Sequence, residues 1–184
     1  MTKRQIALLR GINVGGKNKI PMAELRAICI QIGFEDVSTW IQSGNVVLSA
    51  SESGQALELR LEKAIAQNFG YAIPVVARAA PAWDRYIDGN PFLDKSAAEP
   101  DRVLMYLSKR PPKTKAVSAL LGYAAATERI AKIGDAIWVY YGNGIARSKL
   151  APAVLDRHVG SSVTGRNWRT VLKLRDMVFE TTGE

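Results

Sequence analysis

The sequence predicts an α+β protein made of two ferredoxin-like subdomains of the βαββαβ type, each a mainly antiparallel sheet covered by helices. In the first 80 residues, stretches with strand and helix periodicity follow each other in the order β-α-β-β-α-β. From residue 101 onward the predicted order is β-α-β-β-α-α, which begins like that of the first 80 residues but has a helix in place of the last strand. We therefore expect a first subdomain over 1–80, a connector over 81–100 and a second subdomain over 101–184 that ends in two helices.

The elements of the first subdomain follow from apolar spacing and from turn residues. Pro21 suits the first turn of a helix, and Gly33 suits its end. Ser43, Gly44 and Asn45 form a short turn between two apolar strands, which predicts a hairpin. The predicted elements are a strand at 4–11, a helix at 21–33, strands at 37–42 and 46–49, a helix with apolar residues over 57–69 and a strand at 73–78.

The second half is predicted from the same signals. Its elements are a short helix at 81–86, a strand at 103–108, a helix at 114–121, hairpin strands at 127–133 and 136–141, and helices at 148–158 and 167–179. In the strands 103–108 and 136–141, the alternation predicts a face that points away from the helices. The residues expected on that face are Leu104, Tyr106, Trp138 and Tyr140, where exposed rings would stack on bases. The other interpretation is that this face packs against the other half of the protein.

Composition describes an ordinary globular protein. The chain has 184 residues, 47% of them apolar and 23% charged, and no window of 18 consecutive apolar residues. The first residues lack a secretory signal, and the single cysteine cannot form an internal disulfide, so we expect a cytoplasmic protein without a membrane span. Cys29 lies on the apolar stripe of the first helix, which favours a buried, unreactive thiol.

The positive charge is concentrated in the second half. The formal net charge is +8. Between Gly144 and Arg175 there are seven basic residues, and only Asp156 opposes them. Such a surface attracts nucleic acid, phosphorylated metabolites or an acidic partner. The alternative is that the charge serves solubility alone.

The loop after the first strand is the most informative segment for function. It joins an apolar strand to a helix and contains three glycines, two asparagines and three basic residues. Glycines let backbone N–H groups approach a ligand, and lysine or arginine suits phosphate. The spacing matches neither the P-loop nor the dinucleotide fingerprint, and a long connection that needs glycine explains it equally. The predicted ligand-binding residues of this loop are Arg10, Asn13, Gly15, Gly16, Lys17 and Lys19.

Two further segments are candidates for ligand contact. Ser43 and Asn45 in the hairpin turn carry polar groups suited to orienting a ligand, although turn chemistry also explains them. Near the C-terminus, Thr164 or Asn167 is suited to cap the last helix. Arg166 at that position is unfavourable next to the helix dipole unless an anion or a carboxylate lies there. Arg166 and Asn167 are therefore predicted ligand contacts, and Trp168 is expected in the core.

No catalytic constellation is evident. His158 is the only histidine and is expected at a helix C-terminus before Gly160, and with one cysteine no zinc site is predicted. Ser43 and Ser162 are possible nucleophiles without an identifiable base. We therefore predict no metal and no cofactor, and the sequence leaves any catalytic residue unidentified.

Four segments together resemble one family. They are the opening run from Ala7 to Gly16, the run from Ile41 to Val47, the triplet Asn90-Pro91-Phe92 and the run from Thr164 to Val171. In this order they resemble the bacterial family catalogued as domain of unknown function 1697. The resemblance implies a pair of ferredoxin-like α+β subdomains, but it does not indicate which biochemical activity the protein has.

Three functional hypotheses remain from the sequence. The first is binding of a phosphate-bearing ligand, a nucleotide or a nucleic acid, in a basic cleft between the lobes. The second is an enzyme acting on a small phosphorylated or carboxylated metabolite through Asn13, Ser43 and Asn45. The third is a protein-interaction module whose exposed patch is Leu104, Tyr106, Trp138 and Tyr140. Whether the protein is an enzyme and what its oligomeric state is are left open by the sequence.

Overall fold

The computed structural model describes residues 1–180. Its first half follows the predicted order, and an antiparallel four-stranded sheet forms with the strand order β2-β3-β1-β4. The elements are β1 (Lys3–Leu9), α1 (Met22–Gln31), β2 (Glu35–Trp40), β3 (Asn45–Ala50), α2 (Gln55–Phe69) and β4 (Val75–Ala79). The helices cover one face of this sheet, as the ferredoxin-like prediction requires.

The second half forms a second antiparallel sheet with the equivalent order β6-β7-β5-β8. Two helices precede it, α3 (Ala80–Asp88) and α4 (Leu93–Ala98), and a short 3-10 helix lies at Ile145–Arg147. The remaining elements are β5 (Val103–Ser108), α5 (Ala116–Leu121), β6 (Glu128–Ile133), β7 (Ala136–Tyr141), α6 (Pro152–Val159), β8 (Val163–Asn167) and α7 (Trp168–Phe179).

The strand β8 corrects the predicted β-α-β-β-α-α order. Val163–Asn167 pairs with β5, so this half also contains a complete βαββαβ repeat, and α7 follows it. The described residues divide into two compact units: unit 1 is residues 1–84 with 174–180, and unit 2 is Arg85–Lys173. The fold class predicted from the sequence is confirmed.

Each unit has its own apolar core between the sheet and its helices. In unit 1, alternate residues of the central strand β1, such as Ala7 and Leu9, pack with Leu25 of α1 and Leu61 of α2. In unit 2 the corresponding core contains these residues: Leu104, Tyr106, Leu120, Ile137, Val139, Tyr141, Leu150, Leu155, Val159 and Val163.

That core corrects the predicted faces of β5. Tyr106 pairs with Ile137, and Met105 pairs with Trp138, so Leu104 and Tyr106 lie on the helix side together with Ile137. The predicted alternation of β5 is one residue out of phase with that of β7. Both strands are apolar at nearly every position, and such a run has no polar residues that mark its outer face.

Carboxylates from helices protect one edge of each sheet. Glu58 and Glu62 of α2 accept hydrogen bonds from the N–H groups of Ala77 (2.9 Å) and Val75 (2.8 Å) on edge strand β4. In unit 2, a carboxylate oxygen of Asp156 on α6 accepts from the N–H group of Val163 at the start of edge strand β8 (2.9 Å). Unpaired N–H groups on an edge strand would otherwise be available to another chain.

Candidate functional site

The loop between β1 and α1 is compact, with buried ends and an exposed tip. Ile12 and Ile20 are buried in the core of unit 1. Between them, Val14 and Lys17 form an isolated antiparallel bridge around Gly15 and Gly16. Both glycines have positive φ angles (58° and 76°), which a tight two-residue turn of this kind requires. The tip is therefore a small preformed hairpin that projects into solvent.

Two asparagine side chains hold this loop in shape. The Nδ2 of Asn13 donates to the carbonyl oxygen of Ile20 (3.0 Å), and its Oδ1 accepts from the N–H group of Ile20 (2.9 Å). Asn18 donates through its Nδ2 to the carbonyl oxygen of Gly11 (2.9 Å). Both asparagines have positive φ, a conformation in which asparagine is enriched among non-glycine residues. These side-chain bonds close the loop at two points.

The hairpin turn after β2 lies directly beside this loop, a relationship that the sequence left open. The N–H group of Leu9 donates to the carbonyl oxygen of Gly44 (2.8 Å), and Asn13 donates through Nδ2 to the carbonyl oxygen of Gln42 (2.9 Å). A Cβ atom at Gly44 would lie 2.6 Å from the Leu9 Cβ, so only glycine fits there. We call residues 10–20 and 40–45 together the loop platform.

The polar residues of the turn serve the platform itself. Asn45 is fully buried, and its Nδ2 donates to the carbonyl oxygen of Trp40 (3.0 Å) and to the Oγ of Ser43 (2.9 Å). Ser43 is half-buried. A role for these two side chains in ligand contact stays a prediction.

Two residues of the platform were not singled out from the sequence. Ile41 has a φ of 49° with half of its surface exposed, and this left-handed conformation is rare for a β-branched residue. Trp40 is 37% exposed at the end of β2. A tryptophan directly before a polar turn was the available signal for an exposed ring. Strained non-glycine residues cluster at functional sites, and three of the four non-glycine residues with positive φ in the described part of the chain lie in the platform.

The cations of the platform differ in accessibility. Lys17 and Lys19 are exposed, whereas Arg10 is half-buried. No aspartate or glutamate occurs between residues 10 and 23. A Cβ atom built at Gly11, Gly15 or Gly16 meets nothing within 4 Å, so the space above these glycines is open. The exposed part of the platform is therefore positively charged and sterically accessible.

Arg166 and Asn167, the other predicted ligand contacts, belong to unit 2. Arg166 is buried in β8, and its guanidinium donates to the Oγ1 of Thr164 and to the carbonyl oxygen of Gly165, both at 2.8 Å. Burial lowers the pKa of Arg166 to about 10. Asn167 caps α7, because its Oδ1 accepts from the N–H group of Thr170 (3.0 Å). Arg166 therefore lies in β8, one residue before the N-cap of α7, and ligand contact by Arg166 and Asn167 stays a prediction.

More of the basic residues between 144 and 175 are paired with carboxylates than the sequence indicated. Arg169 pairs with Asp101 (3.1 Å), and Arg175 pairs with Asp84 (3.1 Å). Both carboxylates are distant in sequence, so counting charges within the segment misses them. Arg147, Lys149 and Arg157 remain exposed.

The aromatic residues expected to form an open face are buried. Tyr106 lies in the core of unit 2, where its hydroxyl group bonds that of Tyr141 (2.7 Å), and burial raises its pKa to about 12. The ring of Trp138 packs against that of Trp168 with centroids 5.9 Å apart. Tyr140 donates a hydrogen bond to Glu99, and Leu104 is also buried. These side chains therefore offer neither a stacking surface for bases nor an exposed interaction patch.

The isolated reactive side chains lie where the sequence predicts. Cys29 is buried in α1, and desolvation raises the pKa of its thiol to about 12, which keeps it protonated. His158 occupies the last turn of α6, which Gly160 ends in the left-handed conformation. Within residues 1–180, no three His, Cys, Asp or Glu side chains are grouped so as to hold a metal ion.

Fold and site together define a class: an α+β protein of two βαββαβ units with a basic, preformed loop platform on the first. The model of the family described as "Protein of unknown function (DUF1697)" matches residues 1–138, so the chain belongs to this family. The family resemblance drawn from the sequence is thereby confirmed. No helix within residues 1–180 is long and apolar enough to cross a membrane.

A solved structure shares the fold over nearly the full length. The conserved bacterial protein SP0830 from Streptococcus pneumoniae is similar with a TM-score of 0.75 and 24% sequence identity. The match covers 97% of this chain and 99% of that protein. At this identity the similarity establishes the fold alone. No curated protein matches the chain.

Proposed function

We propose that the protein binds a phosphate-bearing ligand, a nucleotide or a nucleic acid, at the loop platform of unit 1. The observation that carries this proposal is the preformed turn Val14–Lys17, which holds two glycines and an exposed lysine in open solvent. Because side chains and backbone already hold the loop, little conformational entropy is lost when a ligand contacts it.

The chemistry of the turn favours an anion. Lys17 and Lys19 supply two exposed ammonium groups, and neither forms an ion pair with a carboxylate of residues 1–180. Helix α1 begins directly after the loop, and its N-cap Pro21 makes no side-chain capping bond. Glu24 in the first turn of α1 offsets the positive end of the helix dipole, so the attraction for phosphate comes from the two lysines.

Trp40 favours a ligand that carries a base as well as a phosphate. It pairs with Asn45 across the hairpin, so it lies at the same end of the sheet as the loop. Proteins bind single strands with aromatic rings and cations together, with stacking worth roughly 1–3 kcal/mol per base. Here the partly exposed indole ring and the exposed lysines lie at the same end of the sheet. Inorganic phosphate should accordingly bind more weakly than a nucleotide or an oligonucleotide.

The test compares two double variants with the same change in net charge. One is Lys17→Glu with Lys19→Glu in the platform, and the control is Lys3→Glu with Lys63→Glu on β1 and α2. Binding is measured by anisotropy of a labelled single-stranded oligonucleotide and by thermal shift with ATP. The platform variant should bind roughly tenfold or more weakly, because two ammonium groups that attract phosphate become carboxylates that repel it.

The control decides between a site and general attraction. The Lys3→Glu, Lys63→Glu variant should lose much less affinity than the platform variant. Equal losses in both variants, or unchanged binding in the platform variant, would reject the proposal. A shift with ATP that persists at moderate salt identifies a nucleotide, and binding of the oligonucleotide alone identifies a nucleic acid.

A further inference from the structure

The loop between β5 and α5 is the most basic segment of unit 2. It occupies the same place in the βαββαβ order as the loop after β1. Between residues 109 and 115 it contains Lys109, Arg110, Lys113 and Lys115, and no aspartate or glutamate occurs from 103 to 127. Arg110, Lys113 and Lys115 are exposed.

Backbone hydrogen bonds attach this loop to the segment that joins α6 to β8. The N–H groups of Lys109 and Lys113 donate to the carbonyl oxygens of Ser162 (3.2 Å) and Val159 (3.1 Å). The N–H group of Arg110 donates to the Oγ of Ser161 (3.1 Å). These three bonds fix the backbone that carries the cations.

The loop after β5 closely approaches the end of α6 at Gly160. A Cβ atom at residue 160 would lie 2.4 Å from the Lys113 Cε, so the aliphatic chain of Lys113 crosses the glycine backbone. The φ of Gly160 is 98°, which also requires glycine. The Lys113 side chain is thus positioned against the end of α6.

Arg157 in the last turn of α6 adds a fourth exposed cation. We call Arg110, Lys113, Lys115 and Arg157 the basic cluster. Within residues 1–180 none of the four forms an ion pair; Arg110 donates to the carbonyl oxygen of Gly160 (3.4 Å). The nearest carboxylate in sequence, Asp156, is half-buried and accepts from the N–H group of Val163.

A partly exposed aromatic ring packs against the last turn of α6, the turn that also carries Arg157. Tyr123 is 36% exposed, and its ring lies 5.3 Å from that of His158, the neighbour of Arg157 in the chain. The end of α6 therefore adjoins both the backbone-anchored basic loop and a partly exposed phenol ring.

We propose that the basic cluster of unit 2 binds the sugar–phosphate backbone of single-stranded nucleic acid, through residues distinct from those of the loop platform. Phosphates repeat along a strand, so cations on the loop and on the adjoining last turn of α6 engage it together, and Tyr123, which packs against that turn, supplies a face on which a base stacks. An acidic peptide would use the charges but would gain little from the aromatic ring.

The test measures the salt dependence of oligothymidine binding by fluorescence anisotropy. The cluster variant carries Lys113→Gln, Lys115→Gln and Arg157→Gln. The matched control carries Lys132→Gln, Arg147→Gln and Lys149→Gln, three exposed cations elsewhere in unit 2. The slope of log K against log salt should fall in magnitude by roughly 0.7 for each phosphate that is no longer neutralised, thus about 2 in the cluster variant. The control should keep most of the wild-type slope.

Three outcomes would overturn the inference: equal slopes in the cluster variant and wild type, equal losses in the cluster and control variants, or equally tight binding of polyglutamate. A Tyr123→Leu variant should weaken oligothymidine binding without changing the slope, and unchanged affinity would reject the stacking role. Melting temperatures of all variants identify any loss of folding. The Lys17→Glu, Lys19→Glu variant tests the loop platform separately, so either proposal can fail while the other stands.

Discussion

The side-chain Nδ2 of Asn13 lies 2.9 Å from the carbonyl oxygen of Gln42 and donates a hydrogen bond to it. This bond connects the loop after β1 to the hairpin turn after β2, which are separated by 29 residues. The same amide group also closes its own loop onto Ile20. One side chain therefore contributes both to the shape of the loop and to its position beside the turn.

Replacing Asn13 should destabilise unit 1 and loosen the platform. Asn13→Gly removes the side-chain bonds but accepts the φ of 55°, whereas Asn13→Ala removes them and adds backbone strain. We expect a loss of about 1–3 kcal/mol for glycine, because buried backbone groups lose partners, and about 1 kcal/mol more for alanine. Urea unfolding measures both values. Equal stability of Asn13→Ala and wild type would contradict the structural role.

Two glycines with similar backbone conformations should respond differently to alanine. Gly44 has a φ of 77°, and its added Cβ would lie 2.6 Å from the Leu9 Cβ. Gly16 has a φ of 76° with nothing within 4 Å. Gly16→Ala should cost only backbone strain of about 1–2 kcal/mol, and Gly44→Ala about 1–3 kcal/mol more from overpacking. Thermal unfolding of the two variants tests this order of stability. A larger loss of stability in Gly16→Ala than in Gly44→Ala would contradict the prediction.

Glu58 should stabilise unit 1 by holding the edge strand β4. It is buried and accepts the N–H group of Ala77, and Arg78 lies 3.8 Å from its carboxylate. Glu58→Ala leaves a buried N–H group without an acceptor, which we expect to cost about 1–3 kcal/mol. Glu58→Gln retains an acceptor oxygen and should cost less. Denaturant unfolding of both variants is the measurement, and a greater loss with glutamine would contradict this assignment.

Trp40 should contribute to ligand affinity without contributing much to the apolar core, because it is partly exposed. Trp40→Leu should weaken binding of a single-stranded oligonucleotide by about 1–3 kcal/mol through loss of stacking. Trp40→Phe keeps an aromatic face and should lose less. Anisotropy titrations give the affinities, and an unchanged Kd for the leucine variant would rule out stacking at this position.

Cys29 should make stability fall at alkaline pH. Its pKa rises from an ordinary value of 9.0 to about 12 in the folded state, because burial disfavours the thiolate. The folded state therefore binds the proton more tightly, and this contribution is complete below pH 9 and declines as the pH rises towards 12. Between those values wild type should lose about 1.4 kcal/mol per pH unit relative to Cys29→Ala.

The thiol should also be slow to react in the folded protein at about pH 8, below the ordinary pKa of cysteine, and fast in urea, when titrated with a disulfide reagent. The tyrosines titrate in both wild type and Cys29→Ala, so their contribution drops out of the difference in stability between the two proteins. Parallel pH profiles for wild type and Cys29→Ala would contradict the effect of burial.

Local signals predicted most of unit 1. Apolar spacing is a property of a short segment, so the pattern after Pro21 is enough to predict α1, and Gly33 to predict its end. The same holds for the burial of Cys29 and for the end of α6 before Gly160. The strand β8 was missed because Val163–Asn167 contains a glycine and mostly polar residues. It is a strand because it pairs with β5 at the sheet edge.

The amino-acid sequence by itself determined the order of helices and strands in the first unit, the fold class and the position of the basic, glycine-rich loop. Only the tertiary structure decided that the turn at Ser43 lies beside that loop, that Leu104 and Tyr106 face the helices, and that Asp101 pairs with Arg169. The first group depends on periodicity and turn chemistry within a few residues. The second depends on strand register and on contacts between distant segments, which apolar strands and local charge counts do not encode.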